Sequence, residues 1–377
     1  MNVALVHDYL NQRGGAERVF AHIAAAWPEA PVYTALYDAN SCGDLVAASR
    51  VRTSFLQHVP LGRRFFRALA PLYPAAFEAF DFSGYDLIVS STTAWAKGVI
   101  FPPSAVHVCY INTPSRFLFE YDRYVGGLGA GTIAKPVIGM LAAWDRRAAM
   151  RPTAFIANSQ NVAQRVRAHY GRDAFVLPCP VDVDRFSLAG GDGEYFLIVS
   201  RLLPYKRVEL AIEAARIAGV RLLVAGEGPM LETLQRLARG TPADVLGWVS
   251  DDKIASLLAG AKAVIVPGEE DFGLVPLEAA ACGRPAIALR RGGALETIVE
   301  GVTGEFFERP DAESLAAALR AFDRNRYQPE RLRAHAQQFA PHRFAERLRG
   351  LIGEIVQYGE DGARRRVASG AIPASGA

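Results

Sequence analysis

The chain is poor in cysteine: Cys42, Cys109, Cys179 and Cys282 are scattered, with no Cys-x-x-Cys pair and no histidine at metal-ligand spacing. That spacing argues against a disulfide framework or a zinc site and is expected of reduced, structural thiols. Charge of one sign is scarce too. The 42 basic residues are nearly matched by 39 acidic ones, giving +3, and no basic stripe interleaved with aromatics is present, so nucleic acid is not an expected partner. Long apolar runs are missing: none approaches the roughly 18 residues needed to span a bilayer. Met1-Asn-Val-Ala-Leu-Val-His7 enters a strand without a charged n-region or cleavage site, so no signal peptide is expected. The expected location is cytoplasmic, with any membrane contact peripheral, on the cytoplasmic face of the inner membrane.

What is present is hydrophobic substance, 50% of 377 residues, enough for a large core and two domains. Strand-like runs alternate with helical segments throughout, the pattern of parallel sheets covered by helices. Expected strands in the first half cover 3–9, 32–37, 86–91, 107–112, 154–159 and 175–178, with helices at 16–27 and 161–170. A second series covers 195–200, 221–225, 245–249, 263–266 and 286–289. Between the series lies a Pro/Gly/Asp-rich stretch, Pro178 to Phe186 and then Gly190-Gly-Asp-Gly193, read as the interdomain linker. The end is helical over 312–322, 330–339 and 344–358. Expected domains are 1–187 and 188–340, then a helix over 341–358 and a disordered tail over 359–377. No internal repeat is apparent.

The most informative stretch is Glu270-Asp-Phe-Gly-Leu-Val-Pro-Leu-Glu278, two carboxylates with seven residues between them. The β-branched run Ala263-Val-Ile-Val266 reads as a buried strand ended by Pro267-Gly268. Pro276 fits the first turn of the helix that follows, where its missing N–H costs nothing. Glu270 therefore falls in a loop and Glu278 about one turn into a helix. The amides near Gly273, Leu274 and Val275 are suited to an anion, and the carboxylates to sugar hydroxyls. An acidic first turn that merely complements the helix dipole reads equally well locally. Open α/β sheets bind ligands at the carboxyl ends of their strands. There the second series offers Arg201 and Lys206, then Gly226-Glu227-Gly228, then Ser250 as a helix cap, then Glu270 with Phe272 and Glu278, then Arg290. Two cations five residues apart among helix N-termini and tight turns describe a diphosphate site. The glycines taken singly read as turn glycines. In the first half, Gly14-Gly15 follows a strand and opens a helix, so its amides could face a phosphate, or simply make a turn.

Together these pieces resemble the retaining glycosyltransferases of family 4, with the two-domain GT-B fold. The carriers are Gly14-Gly-Ala-Glu-Arg18, Ser200-Arg-Leu-Leu-Pro-Tyr-Lys-Arg207, Gly226-Glu-Gly-Pro229, Glu270 with Glu278, and Ala279-Ala-Ala-Cys-Gly-Arg-Pro285, with Gly292 to Thr297 and Gly301 to Gly304. Within the family, Thr53 to Gln57, Phe82 to Asp86, Ala96-Lys-Gly98 and Asn112-Thr-Pro-Ser-Arg116 are most similar to bacterial mannosyltransferases of O-antigen, capsule and exopolysaccharide assembly. The resemblance implies an α/β fold of two Rossmann-like domains facing each other across a cleft, with the C-terminal helix crossing back to the first. It implies that Arg201 and Lys206 hold the donor diphosphate, Glu278 the ribose, Glu270 the donor sugar, and that Gly15 lies beside the phosphates. Arg116 is then expected on the acceptor side. Similar proteins carry His-Thr-Pro where this chain has Asn112-Thr113-Pro114; Asn112 can donate a hydrogen bond there but cannot titrate.

The implied reaction transfers a hexose, mannose from GDP-mannose, with retention, to a polyprenyl-diphosphate-linked saccharide in surface polysaccharide synthesis. No cofactor is expected, and protein cations rather than a metal held by an Asp-x-Asp motif should carry the charge. Arg63-Arg-Phe-Phe-Arg67 with Leu69, Leu72 and Tyr73 has a composition suited to a membrane interface or to an ordinary helix with a core face. The alternatives are a family 4 enzyme using a UDP- or dTDP-sugar, a sugar-nucleotide-binding protein without turnover, and a phosphorylase or sugar-phosphate synthase.

Overall fold

The computed structural model describes residues 1–121, 134–188, 190–191 and 193–369. Its contacts divide the chain into two compact units, one from 1–120, 134–180 and the chain after 341, the other from 181–341.

The first unit is a seven-stranded sheet in the order β3-β2-β1-β4-β5-β6-β7. The strands are β1 (Val3–His7), β2 (Val32–Thr34), β3 (Val51–Thr53), β4 (Leu87–Thr92), β5 (Val106–Ile111), β6 (Ala154–Ala157) and β7 (Ala174–Val176). All pairings are parallel, with Leu5 opposite both Val32 and Val89, and Val89 opposite Val108. Every residue of β4 is buried, as expected of a central parallel strand covered on both faces. Helices Gly15–Ala26, Ala134–Ala148 and Gln160–Tyr170 lie among the crossovers.

The second unit is a six-stranded parallel sheet ordered β10-β9-β8-β11-β12-β13. Its strands are β8 (Tyr195–Val199), β9 (Leu222–Ala225), β10 (Ala243–Gly247), β11 (Ala261–Val266), β12 (Ala286–Leu289) and β13 (Gly304–Phe307). Helix Asp251–Gly260 starts at Ser250, whose hydroxyl accepts from the Lys253 amide at 3.4 Å, as its sequence suggests.

Both sheets thus reverse direction of growth once, at β1/β4 in the first unit and at β8/β11 in the second. In such sheets the loops at the carboxyl ends of the two strands part and leave a crevice. Two strands escape the sequence pattern, β3 and β13. Each is an edge strand, partly exposed and lacking a continuous apolar run, so periodicity has nothing to register.

The tail also differs from expectation. Helix Pro341–Ala368 continues past Tyr358, with a non-helical Gly359 (φ 69°, ψ 176°) marking a kink. Beyond the kink Gly362 and Ala363 are buried, Glu360 pairs with Arg172 at 3.2 Å, and Arg364 lies over the Phe175 ring. Tertiary contacts, which composition does not reveal, hold the segment. Residues 370–377 of the expected disordered tail lie outside the described residues. The helix packs within the first unit, as expected: Phe344 meets Tyr110 edge-on at 5.7 Å, and Arg349 donates to the Ala26 carbonyl at 3.4 Å.

Candidate functional site

The crevice of the second unit collects the charged candidates. After β8 the chain passes Arg201 and makes the turn Pro204–Lys206. After β11 it passes Pro267-Gly268 and reaches Glu270. The two loops are seated on each other: a Cβ on Gly268 would come within 2.5 Å of the Tyr205 carbonyl oxygen, so only glycine permits the approach. The result is a two-pronged ion pair. Lys206 Nζ lies 2.6 Å from Glu270 Oε1 and 2.5 Å from Oε2, with the side chains 14% and 24% exposed. Burial by itself would lower the pKa of the Lys206 ammonium, but the Glu270 carboxylate, with Tyr205 and Asp271, outweighs it and raises the pKa. Lys206 is therefore a permanent cation at physiological pH.

The main chain of Glu270 is held as well. Gly293 donates its amide to the Glu270 carbonyl at 2.9 Å, and Glu270 forms a parallel bridge with Gly292. Gly273, at φ 100°, precedes helix Leu274–Ala281 and offers no side chain to cap it, which leaves that first turn, with Leu274 and Val275, suited to an anion. Glu278 is half-buried in this helix. Burial, reinforced by Glu278, pushes the neighbouring Cys282 thiol up to about 12. Phe272 faces inward: it is 4% exposed and its ring meets Phe339 at 6.1 Å, so only its backbone is left for a ligand.

The Gly226-Glu227-Gly228 turn leans on the β8 loop. Leu202 donates to the Glu227 carbonyl at 2.8 Å, and Gly226 donates to the Gly247 carbonyl at 2.8 Å. A Cβ at Gly226 would sit 1.8 Å from the Ser200 oxygen and one at Gly228 2.4 Å from that of Leu202, at φ of 147° and 157°. These glycines serve the backbone first, as the turn reading has it. Glu227 is exposed beside them, and Arg201 is exposed with no ion-pair partner among the described residues. A cavity of about 510 Å3 in this unit, lined by Arg324, Tyr327, Glu330 and their neighbours, is bordered by none of the candidates.

The first unit places its candidates differently. Gly14 precedes helix Gly15–Ala26, and its amide is taken by Glu17 Oε2 at 2.9 Å; Gly15 is exposed. Asn112, at the end of β5, is 7% exposed. Its Nδ2 donates to Ser91 Oγ and to the Thr92 carbonyl, both at 3.2 Å, and its main-chain carbonyl accepts from Asn158 at 3.0 Å. The N–H groups of the side-chain amide are therefore spent on the sheet, the alternative to facing a sugar. Arg116 is 5% exposed and donates to Glu120 at 3.1 Å, which also pairs with Arg165 at 2.5 Å. His107 is buried with Nε2 at 2.8 Å from Ser90 Oγ, and burial lowers its pKa to about 3.

Two constellations went unnoticed in the sequence. Asp8, directly after β1, accepts six hydrogen bonds of 2.6–3.0 Å from the Thr92 and Thr93 hydroxyls and the amides of Thr93, Ala94, Trp95 and Ala96. Lys97 is buried against Asp145 at 2.5 Å, and Tyr170 donates to the same carboxylate at 2.7 Å. Neither pattern has a local signature, because the partners lie 84–88 and 48 positions apart. The sequence does contain an Asp-x-Asp triplet, contrary to expectation: Asp182-Val183-Asp184, at the turn Val183–Arg185, with both carboxylates exposed. Among the described residues no group of three or more His, Cys, Asp or Glu could hold a metal ion.

Comparison with known proteins bears on the family. Residues 13–185 match the model of Glycosyltransferase Family 4, and residues 182–339 match that of Glycosyl transferases group 1. The chain has the two-domain GT-B fold, and its two halves are similar to these two glycosyltransferase families. It is 33% identical over 227 residues to the D-inositol 3-phosphate glycosyltransferase of Geodermatophilus obscurus, covering 51% of the chain and 50% of the relative. It is 35% identical over 162 residues to the GDP-mannose-dependent alpha-(1-6)-phosphatidylinositol dimannoside mannosyltransferase of Mycobacterium tuberculosis, covering 41% of the chain and 42% of that relative. The chain thus spans half or less of the length of these curated relatives. In fold it is similar to sucrose-phosphate synthase from Thermosynechococcus elongatus, with a TM-score of 0.72 and 18% identity over 95% of this chain and 100% of that one. Anabaena HepE in complex with UDP gives 0.66 and 19% over 94% and 100%.

Proposed function

We propose that this glycosyltransferase moves a hexose, mannose from GDP-mannose, onto a lipid-linked saccharide in surface polysaccharide synthesis, with retention at the anomeric carbon. The observation that carries the reading is the Lys206–Glu270 pair at the switch point of the second unit, with Arg201 exposed on the same loop as Lys206. Donor phosphates would be met by Arg201, Lys206 and the first turn of helix Leu274–Ala281, and ribose and sugar hydroxyls by Glu278 and Glu270. As the bond from C1 to the phosphate oxygen breaks, negative charge grows on the diphosphate. Cations already in place stabilise that charge more in the transition state than in the ground state. The acceptor oxygen bonds to C1 from the same face, and its proton passes to the departing phosphate oxygen. Glu270, neutralised by Lys206, is poorly suited to act as a covalent nucleophile.

The GDP-mannose choice leans on the relative named as GDP-mannose-dependent. A thermal-shift screen of GDP-mannose, UDP-glucose and dTDP-glucose tests it, because a ligand raises the melting temperature according to its concentration over its Kd. A shift with GDP-mannose alone supports the reading; a shift only with a UDP- or dTDP-sugar replaces the donor, and no shift with any removes the site. Unchanged turnover in EDTA is expected if protein cations do the work. A sugar-nucleotide-binding protein without turnover is the second reading, favoured by the spent amide of Asn112. GDP release from GDP-mannose over time decides between them.

Contact with an anionic membrane would use the first unit. Leu61, held at φ 57°, Phe65 and Leu72 are exposed by 67, 54 and 44% beside Arg63, Arg64 and Arg67. Phe66 and Tyr73 belong to the core, with Leu69 packed against it, which fits the alternative of an ordinary core face for these residues. Co-sedimentation with anionic but not neutral vesicles at low salt supports this surface; none with either removes it.

A further inference from the structure

The reading above makes Lys206 a phosphate ligand and Glu270 a sugar ligand, yet each holds the other. Two of the three ammonium protons point at the two carboxylate oxygens, at 2.6 and 2.5 Å. The main chain is fixed at both residues. Lys206 sits in a turn closed by its own amide to the Leu203 carbonyl at 3.0 Å, and Glu270 is tied by its carbonyl to Gly293 at 2.9 Å. The loops carrying them touch where Gly268 meets Tyr205. A diphosphate oxygen seeking Lys206 must therefore share or displace the Glu270 carboxylate.

We propose that Glu270 makes this site discriminate between the intact sugar nucleotide and the nucleoside diphosphate left after transfer, by competing with diphosphate for Lys206. The inference rests on the donor reading of the site. An intact donor offers an anion to Lys206 and hydroxyl donors to Glu270, so both groups exchange one partner for another. A nucleoside diphosphate offers only the anion. Glu270 is then left as a half-buried carboxylate without its cation and beside added negative charge, which is costly. Once the sugar has gone, the carboxylate retakes Lys206 and disfavours retention of the product. Arg201 cannot discriminate in this way, because it is exposed and has no carboxylate partner among the described residues to surrender.

The test is isothermal titration of the full chain with GDP and with GDP-mannose, for wild type, Glu270→Gln, Glu270→Asp and Lys206→Ala. Glu270→Gln keeps the shape and one acceptor oxygen but removes the charge and turns the other acceptor into a donor. It should bind GDP roughly 10-fold tighter or more, the scale of one charged hydrogen bond, and GDP-mannose less so, so that preference for the donor shrinks. Product inhibition by GDP should strengthen in parallel. Glu270→Asp, with the charge drawn back by one methylene, should move GDP affinity the same way by less, and it carries the test if Glu270→Gln does not fold. Lys206→Ala should weaken both ligands. If Lys206→Ala weakens both while the Glu270 variants leave the GDP to GDP-mannose ratio unchanged, competition is wrong and the donor site stands. If Lys206→Ala changes neither, the donor site itself is wrong and the inference falls with it.

Discussion

The two units repeat one architecture and use its switch point in opposite ways. At β1/β4 a carboxylate, Asp8, is sunk into the fold and saturated by six donors from residues 92–96. At β8/β11 the carboxylate of Glu270 meets a side-chain cation instead of backbone amides. Amides taken by Asp8 are not on offer to a ligand. An ammonium on a four-carbon stem can trade one anion for another. A parallel sheet supplies the place, and whether the loop is filled from inside decides if the place can bind anything.

Breaking the Asp8 cluster should have the largest effect. Asp8→Ala strands the backbone N–H groups of Thr93, Trp95 and Ala96, while Ala94 keeps Thr92 Oγ1 at 3.0 Å; at about 1–3 kcal/mol for each unsatisfied group the loss should be on the order of 3 kcal/mol or more. Urea unfolding is expected to show a collapsed midpoint or no folded protein; a shift under 1 kcal/mol would mean the turn holds without Asp8. Gly226→Ala, whose methyl would meet the Ser200 oxygen at 1.8 Å, should cost about 2 kcal/mol and weaken donor binding with it, read by the same unfolding curve and a donor titration.

Opening the second crevice should cost function more than stability. Lys206→Ala is expected to lower turnover roughly 10- to 100-fold, and Glu278→Ala to weaken donor binding by a similar factor, each about 1.5–3 kcal/mol. Steady-state kinetics separate the two, with KM rising in both and kcat falling only in the first.

Acid sharpens the contrast from the first unit's side. His107 titrates at about 3 when folded and near 6.5 when unfolded, so between those values the unfolded chain binds a proton that the folded chain refuses. His107 therefore takes at most about 1.4 kcal/mol per pH unit from stability as pH drops below about 6.5, alongside His7, His169 and His335, whose pKa values burial lowers too. Glu and Asp begin to contribute near pH 4.5, which makes pH 5 to 6.5 the useful window. His107→Gln should flatten the slope of stability against pH there; an unchanged slope would show that other groups set it.

Sequence made the second unit more legible than the first. Arg201, Lys206, Glu270 and Glu278 stand out because charged residues follow apolar strands, and strand ends are where ligands bind. The bond between Lys206 and Glu270 does not stand out, since 64 positions separate them and only the β8/β11 neighbourhood brings the loops together. Asp8 falls inside the strand expected over 3–9, and its value lies in a turn formed more than 80 residues later. Asn112 and Arg116 were noticed through their resemblance to a motif, which says nothing of the partners Ser91, Thr92 and Glu120 that now occupy them.

The most direct test sets one residue from each unit against the other: the Kd of GDP-mannose for wild type, Lys206→Ala and Asn112→Ala by isothermal titration. Binding weakened roughly 10- to 100-fold by Lys206→Ala and changed less than about threefold by Asn112→Ala is the expected result. Full affinity in Lys206→Ala together with lost affinity in Asn112→Ala would contradict the assignment of the second unit's switch point as the donor site.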